Sequence, residues 1–139
     1  MFASSTEIDT KMNTETKVIP TDSELEILSI LYRHGPQNVR FVNDEINKSR
    51  EVGYTSTLKT MQIMLDKQML QREIIDRVHI YSPVQKEEIT QRAVLTEVID
   101  KAFRGNAASL VMNLLGNQET SKEELAQIKS LIESLENKK

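Results

Sequence analysis

A short stretch near the middle of the chain concentrates side chains that can form hydrogen bonds with a partner. Its members are Thr55, Ser56, Thr57, Lys59 and Thr60. Hydroxyl groups donate and accept at base edges, and an ammonium group suits guanine or phosphate, so this set could contact nucleic acid. An ordinary solvated helix face would have the same composition. The surrounding elements must therefore decide between the two interpretations.

Cationic residues outside this stretch are further candidates for contacts with phosphate. Arg40 and Lys48 precede the stretch, and Arg77 and His79 follow it. Their side chains can form charge-assisted hydrogen bonds with phosphate oxygens. The alternative for Arg77 and His79 is a charged turn beside a half-buried strand histidine.

No combination of residues in the sequence is typical of a catalytic or metal site. The two histidines, His34 and His79, do not form a metal-ligand pattern. Cysteine is absent, which excludes disulfides, thiol catalysis and thiolate ligands. The sequence shows neither a glycine-rich phosphate loop nor a Ser/His/Asp set in a supporting context. We therefore expect no enzyme activity, no metal and no cofactor.

The composition is that of a folded, mainly helical protein. Of its 139 residues, 38% are hydrophobic and 28% are charged, and there are only 4 glycines and 3 prolines. Because no apolar run is long enough for a membrane helix and no signal peptide is visible, we expect a cytoplasmic protein without membrane insertion. The net charge is −3, so only the placement of charge could indicate a nucleic-acid partner.

Three amphipathic helices are predicted in the first part of the chain, and the polar stretch lies in the third. Thr21 and Glu24 fit a capping box, which begins a helix over residues 22–34 that a Gly-Pro pair ends. The apolar spacing predicts a second helix over 39–49 and a third over 55–68. The residues expected on the inner side of the third helix are Leu58, Met61 and Leu65.

Residues 70–82 change to a pattern that predicts two strands. A tight turn at Asp76 and Arg77 joins them, and Pro83 ends the second strand. Three helices followed by a hairpin are typical of a winged helix-turn-helix domain. In that domain the third helix enters the DNA major groove, and the hairpin, or wing, can reach the flanking backbone. The order of elements therefore favours nucleic acid as the partner of the polar stretch.

The remainder of the chain is predicted to be helical and to form a dimer. Helices are expected over 87–103, 107–115 and 121–135. Short amphipathic helices cannot easily bury their apolar stripes alone, so a second copy of the chain is the simplest partner. The last helix carries an apolar seam at coiled-coil spacing, formed by Leu125, Ile128, Ile132 and Leu135.

The predicted fold class is mainly α with a small β-hairpin wing. Residues 1–20 are polar, lack an apolar period and are expected to form a disordered tail. Residues 21–84 are expected to form the winged-helix DNA-binding domain, and residues 85–139 the helical dimerisation segment.

Four segments give the chain a resemblance to the penicillinase-repressor family of winged-helix transcriptional regulators. They are TDSELEIL (21–28), LY…GP…VR (31–40), GYTSTLKTM (53–61) and RVHIYSP (77–83). The resemblance covers roughly residues 20–135. Three positions depart from the family pattern: Tyr32 stands where tryptophan is common, and Gln68 and Asp76 stand where many members have glycine.

The resemblance implies a homodimer that represses transcription by covering a promoter palindrome. In the antibiotic-responsive branch of the family, a membrane metalloprotease sensor inactivates the repressor by cutting its dimerisation segment between Asn and Phe. The corresponding bond here joins Ala102 to Phe103, so the phenylalanine is kept and the asparagine is not. The copper-responsive branch uses C-terminal cysteines, which this chain lacks.

Two functional hypotheses follow from the sequence. The first is a dimeric repressor bound to a double-stranded DNA operator. The second is a winged-helix protein-interaction module that does not bind DNA. Acidic and basic residues are nearly equal in number over residues 21–84, which supports the second hypothesis. The exposed position expected for Lys59 supports the first.

Overall fold

The computed structural model describes residues 19–117 and 120–138, so the predicted disordered tail lies almost entirely outside the described residues. The described chain separates into two compact units, one ending at Glu97 and one beginning at Val98. The elements are α1 (Asp22–His34), α2 (Val39–Asn47), α3 (Tyr54–Asp66), β1 (Leu70–Ile75), β2 (Val78–Pro83), α4 (Glu87–Ala102), α5 (Ala107–Asn117) and α6 (Lys122–Asn137).

The predicted capping box begins α1. The Thr21 hydroxyl accepts a hydrogen bond from the Glu24 backbone N–H at 3.2 Å, and the Glu24 carboxylate accepts one from the Thr21 N–H at 2.9 Å. The helix ends where Gly35 adopts a φ of 83° and its N–H donates to the Leu31 carbonyl. A left-handed φ is accessible to glycine without steric cost, so the helix ends at the predicted residue.

Side-chain amides organise the connection between α2 and α3. Asn38 caps α2 by accepting a hydrogen bond from the Phe41 N–H at 2.8 Å. Asn43 and Asn47 both donate to the Val52 carbonyl, at 3.0 and 2.8 Å. These bonds hold the loop that leads into α3. Helices α2 and α3 each end two residues earlier than predicted, at Asn47 and Asp66.

The core of the first unit is formed by apolar side chains from α1, α2, α3 and the wing. Met64 is fully buried in α3, whereas Leu58 and Leu65, which were predicted to face inward, are only partly buried against the core. The buried apolar residues are Ile27, Leu28, Leu31, Val39, Val42, Ile46, Met61, Met64, Leu70 and Tyr81.

The wing is an antiparallel hairpin that is attached to the helices at its base. Ile75 pairs with Val78 across the tip, and buried Tyr81 exchanges backbone hydrogen bonds with Gln37 at 3.0 and 2.8 Å. The turn before β1 passes through Gln68, which has a φ of 64°. This left-handed conformation explains why glycine suits the position, since a Cβ costs energy there.

Helix α4 is attached to α1 at its beginning. The Tyr32 hydroxyl donates to the Gln85 carbonyl at 2.9 Å and lies 2.7 Å from the Thr90 hydroxyl. Burial raises the pKa of Tyr32, so its proton is retained for these bonds. The division between the two units consequently lies inside α4, later in the chain than the boundary expected after residue 84.

The second unit contains the end of α4 together with α5 and α6. A second capping box, between Ser121 and Glu124, begins α6. Leu125, Ile132 and Leu135 remain 44%, 49% and 53% exposed, which leaves most of the predicted seam uncovered in a single chain. No described helix is both long and apolar enough to cross a membrane.

An ion pair between a buried carboxylate and a partly exposed lysine connects the beginning of α1 to the end of α3. Glu24 is only 3% exposed, and its carboxylate accepts a hydrogen bond from the Lys67 ammonium at 2.8 Å. Burial acts to raise the pKa of Glu24, but the bonds from Lys67 and Thr21 outweigh it, so the pKa lies below its usual value. The carboxylate is therefore charged in the folded protein at neutral pH.

We expect Glu24→Gln to lower the free energy of unfolding by about 2 kcal/mol at pH 7, because the amide keeps the cap but loses the charged bond. Since the folded-state pKa of Glu24 is lowered, this stabilisation is present above the unfolded-state pKa and is lost as the pH falls through the folded-state pKa. Urea unfolding at several pH values should show the two proteins converging in acid.

Glu26→Gln is the matched control, because the ion pair of Glu26 with Arg50 is partly solvent-exposed. It should cost less than about 1 kcal/mol at any pH. A cost of Glu24→Gln that stays constant from neutral to acidic pH would show that the charge of Glu24 does not contribute.

Candidate nucleic-acid interface

The outer face of α3 carries most of the predicted polar set. Thr55, Ser56 and Lys59 are exposed, and Thr60 is half-buried. The Thr60 hydroxyl donates to the Ser56 carbonyl at 3.0 Å, one turn earlier in the same helix. Three of the predicted contact residues on α3 are therefore open to a partner, and a fourth lies at the edge of the face.

Thr57 is not on this face, and the prediction that it is exposed was wrong. Its side chain is 2% exposed, and its hydroxyl accepts a hydrogen bond from the Asn43 amide at 2.8 Å. Thr57, Met61 and Met64 are spaced so that they share one side of the helix, and that side faces the core. From the sequence alone, a polar residue at a core position cannot be distinguished from an exposed one, because its burial depends on a hydrogen-bond partner elsewhere in the chain.

A cleft of about 450 Å³ lies between α3 and the wing. It brings together Arg40 from α2 and Arg77 from the wing tip, which the sequence suggested separately. No aspartate or glutamate is among its lining residues in the described part of the chain. Its polar lining consists of Asn38, Arg40, Tyr54, Gln62, Arg72, Arg77, His79 and Tyr81.

Two contacts determine where the arginines lie. The Arg40 guanidinium lies 5.2 Å from the centre of the Tyr54 ring, a cation–π arrangement that holds it at the start of α3. Arg72 is paired across the hairpin with Tyr81, so both side chains project from the same face of the wing. Sequence reasoning missed Arg72 because only the strand register shows which face it occupies.

Several cations of the first unit are paired with carboxylates outside the cleft. The hydrogen bond from Lys48 lowers the pKa of Glu45, which keeps this pair charged. The pairs are Lys67 with Glu24, Arg50 with Glu26, and both Lys48 and His34 with Glu45. Among the described residues, Lys59 and the arginines of the cleft form no ion pair. The lining of the cleft therefore carries arginines without a paired carboxylate, although the total charge of the chain is negative.

The wing turn has a conformation that normally requires glycine. Asp76 and Arg77 both have left-handed φ values, 51° and 68°, as expected for the central residues of a two-residue type I′ turn. Side chains at such positions cost free energy relative to glycine. Arg77 is thus held at the tip of the wing at the expense of stability, a pattern that occurs at functional positions.

Comparison with known proteins identifies relatives over most of the chain. Residues 20–134 match the penicillinase repressor family. The chain belongs to this family. It is 28% identical to the penicillinase repressor of Bacillus licheniformis over 126 residues. The aligned region covers 88% of this chain and 98% of that protein. The chain is 22% identical over 117 residues to the penicillinase repressor of Staphylococcus aureus, which covers 84% and 92% respectively.

The comparison with solved structures supports the winged-helix fold. The YusO protein from Bacillus subtilis shares this fold with a TM-score of 0.52 and 19% sequence identity, over 97% of this chain and 91% of that one. The predicted family and fold class are thereby confirmed. Penicillinase repressors are transcriptional regulators and not enzymes, as predicted. Within residues 19–117 and 120–138, no group of side chains is placed to hold a metal ion.

The predicted cleavage bond lies where α4 ends. Ala102 is exposed and is the last residue of α4, and the Phe103 N–H donates to the Ile99 carbonyl at 3.1 Å. Arg104 and Gly105 follow with φ values of 53° and 80°, which end the helix. The bond therefore lies at a helix terminus and not within a helix.

We expect Arg77→Gly to raise the free energy of unfolding by about 1 kcal/mol, because glycine adopts the left-handed turn conformation without strain. Arg77→Ala is the matched control. It removes the same charge but keeps the Cβ, so it should give no comparable gain. Urea unfolding of the three proteins measures the difference, and equal stabilities for the glycine and alanine variants would show that the turn is not strained.

Proposed function

We propose that this member of the penicillinase repressor family is a cytoplasmic transcriptional repressor that binds a promoter palindrome as a homodimer. The observation that carries the proposal is the carboxylate-free cleft of arginines beside the exposed face of α3. A winged-helix domain places its third helix in the major groove, and here that helix presents the unpaired Lys59.

The side chains of this surface divide into two roles. Thr55, Ser56 and Thr60 are short donors and acceptors on α3, suited to base edges or nearby phosphates. Arg40 on α2 and Arg77 at the wing tip both line the cleft and are suited to backbone phosphates. Phosphate contacts set the register of the protein on DNA, while base contacts select the sequence.

The alternative function, a protein-interaction module, is supported by the nearly balanced charge of the winged-helix unit. The distribution of that charge supports DNA binding instead. The carboxylates Glu24, Glu26 and Glu45 are engaged with cations away from the cleft, so they do not oppose an approaching phosphate. Failure to bind DNA containing the chain's own promoter would favour the alternative.

The first test measures how binding depends on salt. In gel shifts with the DNA upstream of the chain's own gene, Lys59→Ala and Arg77→Gly should each reduce the slope of log affinity against log salt by about one, because each removes one phosphate contact. Arg77→Gly is informative because glycine is expected to stabilise the turn, so a binding defect would not follow from lost stability. Random DNA of equal length distinguishes the two kinds of contact. Loss of a phosphate contact weakens binding to both DNAs, whereas loss of a base contact weakens binding to the promoter DNA alone.

Lys48→Ala is the matched control, because Lys48 is already paired with Glu45 outside the cleft. It should leave the salt slope nearly unchanged. If Lys59→Ala and Arg77→Gly leave both affinity and slope at the wild-type values, these residues do not contact DNA.

We assign dimerisation to the C-terminal unit. Its helices carry apolar side chains that a single chain leaves open to water, including Leu125, Ile132 and Leu135 on α6 and Met112 on α5. Ile128 is half-buried in the same seam. Burial of exposed apolar area stabilises association, and a second copy offers the same surface in return.

We also propose that cutting between Ala102 and Phe103 releases the repressor, with a membrane metalloprotease sensor as the agent. The position of the bond at the end of α4, beside the left-handed Arg104 and Gly105, supports access by a protease. The cut would separate residues 103–139, which contain the α6 seam, from α3 and the wing.

A protease site inserted after Ala102 tests this coupling without the natural sensor. Cleavage should release the fragment that contains α3 and the wing as a monomer in sedimentation experiments. It should also weaken binding to a palindromic operator by about 10²- to 10⁴-fold, because the two half-sites are no longer held by linked domains. Uncut protein with the same insertion is the control. A DNA-binding fragment that remains dimeric after the cut, or cleaved protein that binds the operator as tightly as before, would contradict the proposal.

A further inference from the structure

We propose that Gln62 selects an adenine in the major groove, and so contributes sequence specificity to this interface. The inference rests on the proposed function, in which α3 enters the groove. Gln62 is exposed on α3 and lines the cleft with Arg40 and Arg77. It directly follows the buried Met61 in the sequence and lies on the wing side of the helix.

The amide of Gln62 is free to bind a partner, unlike other amides near α3. Asn38 caps α2, and Asn43 and Asn47 hold the loop before α3 through bonds of 2.7 to 3.2 Å. In the part of the chain that the structure describes, the Gln62 side chain forms no hydrogen bond with protein. Binding to DNA would therefore not cost Gln62 an existing intramolecular bond.

Its chemistry distinguishes Gln62 from the other exposed residues of α3. A carboxamide presents a donor and an acceptor together, which matches the N6 donor and N7 acceptor of adenine in the major groove. Thr55 and Ser56 carry single hydroxyl groups that pair with several bases, and Lys59 offers only donors. Gln62 is thus the side chain on this face whose hydrogen-bonding pattern matches adenine, whereas the ammonium group of Lys59 suits guanine or phosphate.

The neighbouring arginines would place this amide at the bases. Arg40 on α2 and Arg77 at the wing tip line the same cleft as Gln62. Phosphates bound by these arginines would set the register of α3 along the DNA, and the amide would then meet the same base pair in each half-site. Orientation by phosphates and selection by one amide together predict a defined adenine preference.

Selection of bound sequences from a randomised duplex library tests the inference with the full-length chain. Wild-type protein should enrich sites with adenine at one position of each half-site. Gln62→Ala should lose the preference at that position alone, with affinity for the selected site falling roughly 5- to 150-fold and affinity for random DNA unchanged. Gln62→Glu should move the preference at that position toward cytosine, because a carboxylate accepts from cytosine N4.

Gln91→Ala is the matched control, since Gln91 is an exposed helical glutamine outside the cleft. It should enrich the same sites as wild type, and unfolding midpoints confirm that all variants are folded. An unchanged motif for Gln62→Ala, or an equal loss on selected and random DNA, would overturn the role of Gln62. If wild-type protein enriches no sequence at all, the proposed repressor function itself fails.

Discussion

The surface of this protein depends on one buried contact, the hydrogen bond from the Asn43 amide to the Thr57 hydroxyl. The same amide donates to the Val52 carbonyl, so one side chain of α2 fixes both the approach to α3 and its rotation about its own axis. An unsatisfied buried amide would be costly, and rotation of α3 would break this bond. Because that rotation is fixed, Lys59 and Gln62 lie outside and Met61 lies in the core.

In the winged-helix unit, the location of ion pairs matters more for the local charge of the cleft than the net charge of the chain does. Glu24, Glu26 and Glu45 are paired with cations on other surfaces, and the lining of the cleft between α3 and the wing contains arginines but no carboxylate. A phosphate approaching the cleft therefore meets a local field that the net charge does not reveal. The acidic total charge lowers nonspecific attraction to DNA elsewhere on the molecule, so binding can depend on the cleft.

The sequence was sufficient for the elements but not for the full surface. The bounds of α1 follow from its capping box and Gly-Pro stop, and the wing follows from its turn, because these signals are local. The sequence did not show that Thr57 is buried, or that Gln62 and Arg72 line the cleft, because these features do not depend on local signals. Helix rotation depends on a buried partner, and the face of a strand residue depends on register. Both are determined by contacts between residues distant in sequence, as is the pair of Glu24 with Lys67.

The strained turn of the wing also has a consequence for how position 77 can change by mutation. Every arginine codon can become a glycine codon through a single nucleotide change, so the residue that suits the φ of 68° at position 77 is always one mutation away. Natural proteins need only exceed a threshold of stability, so a strained residue persists readily where its side chain is used. The phosphate contact proposed for Arg77 would be such a use. Glycine-free turns of this type could help to locate contact residues in other winged-helix sequences.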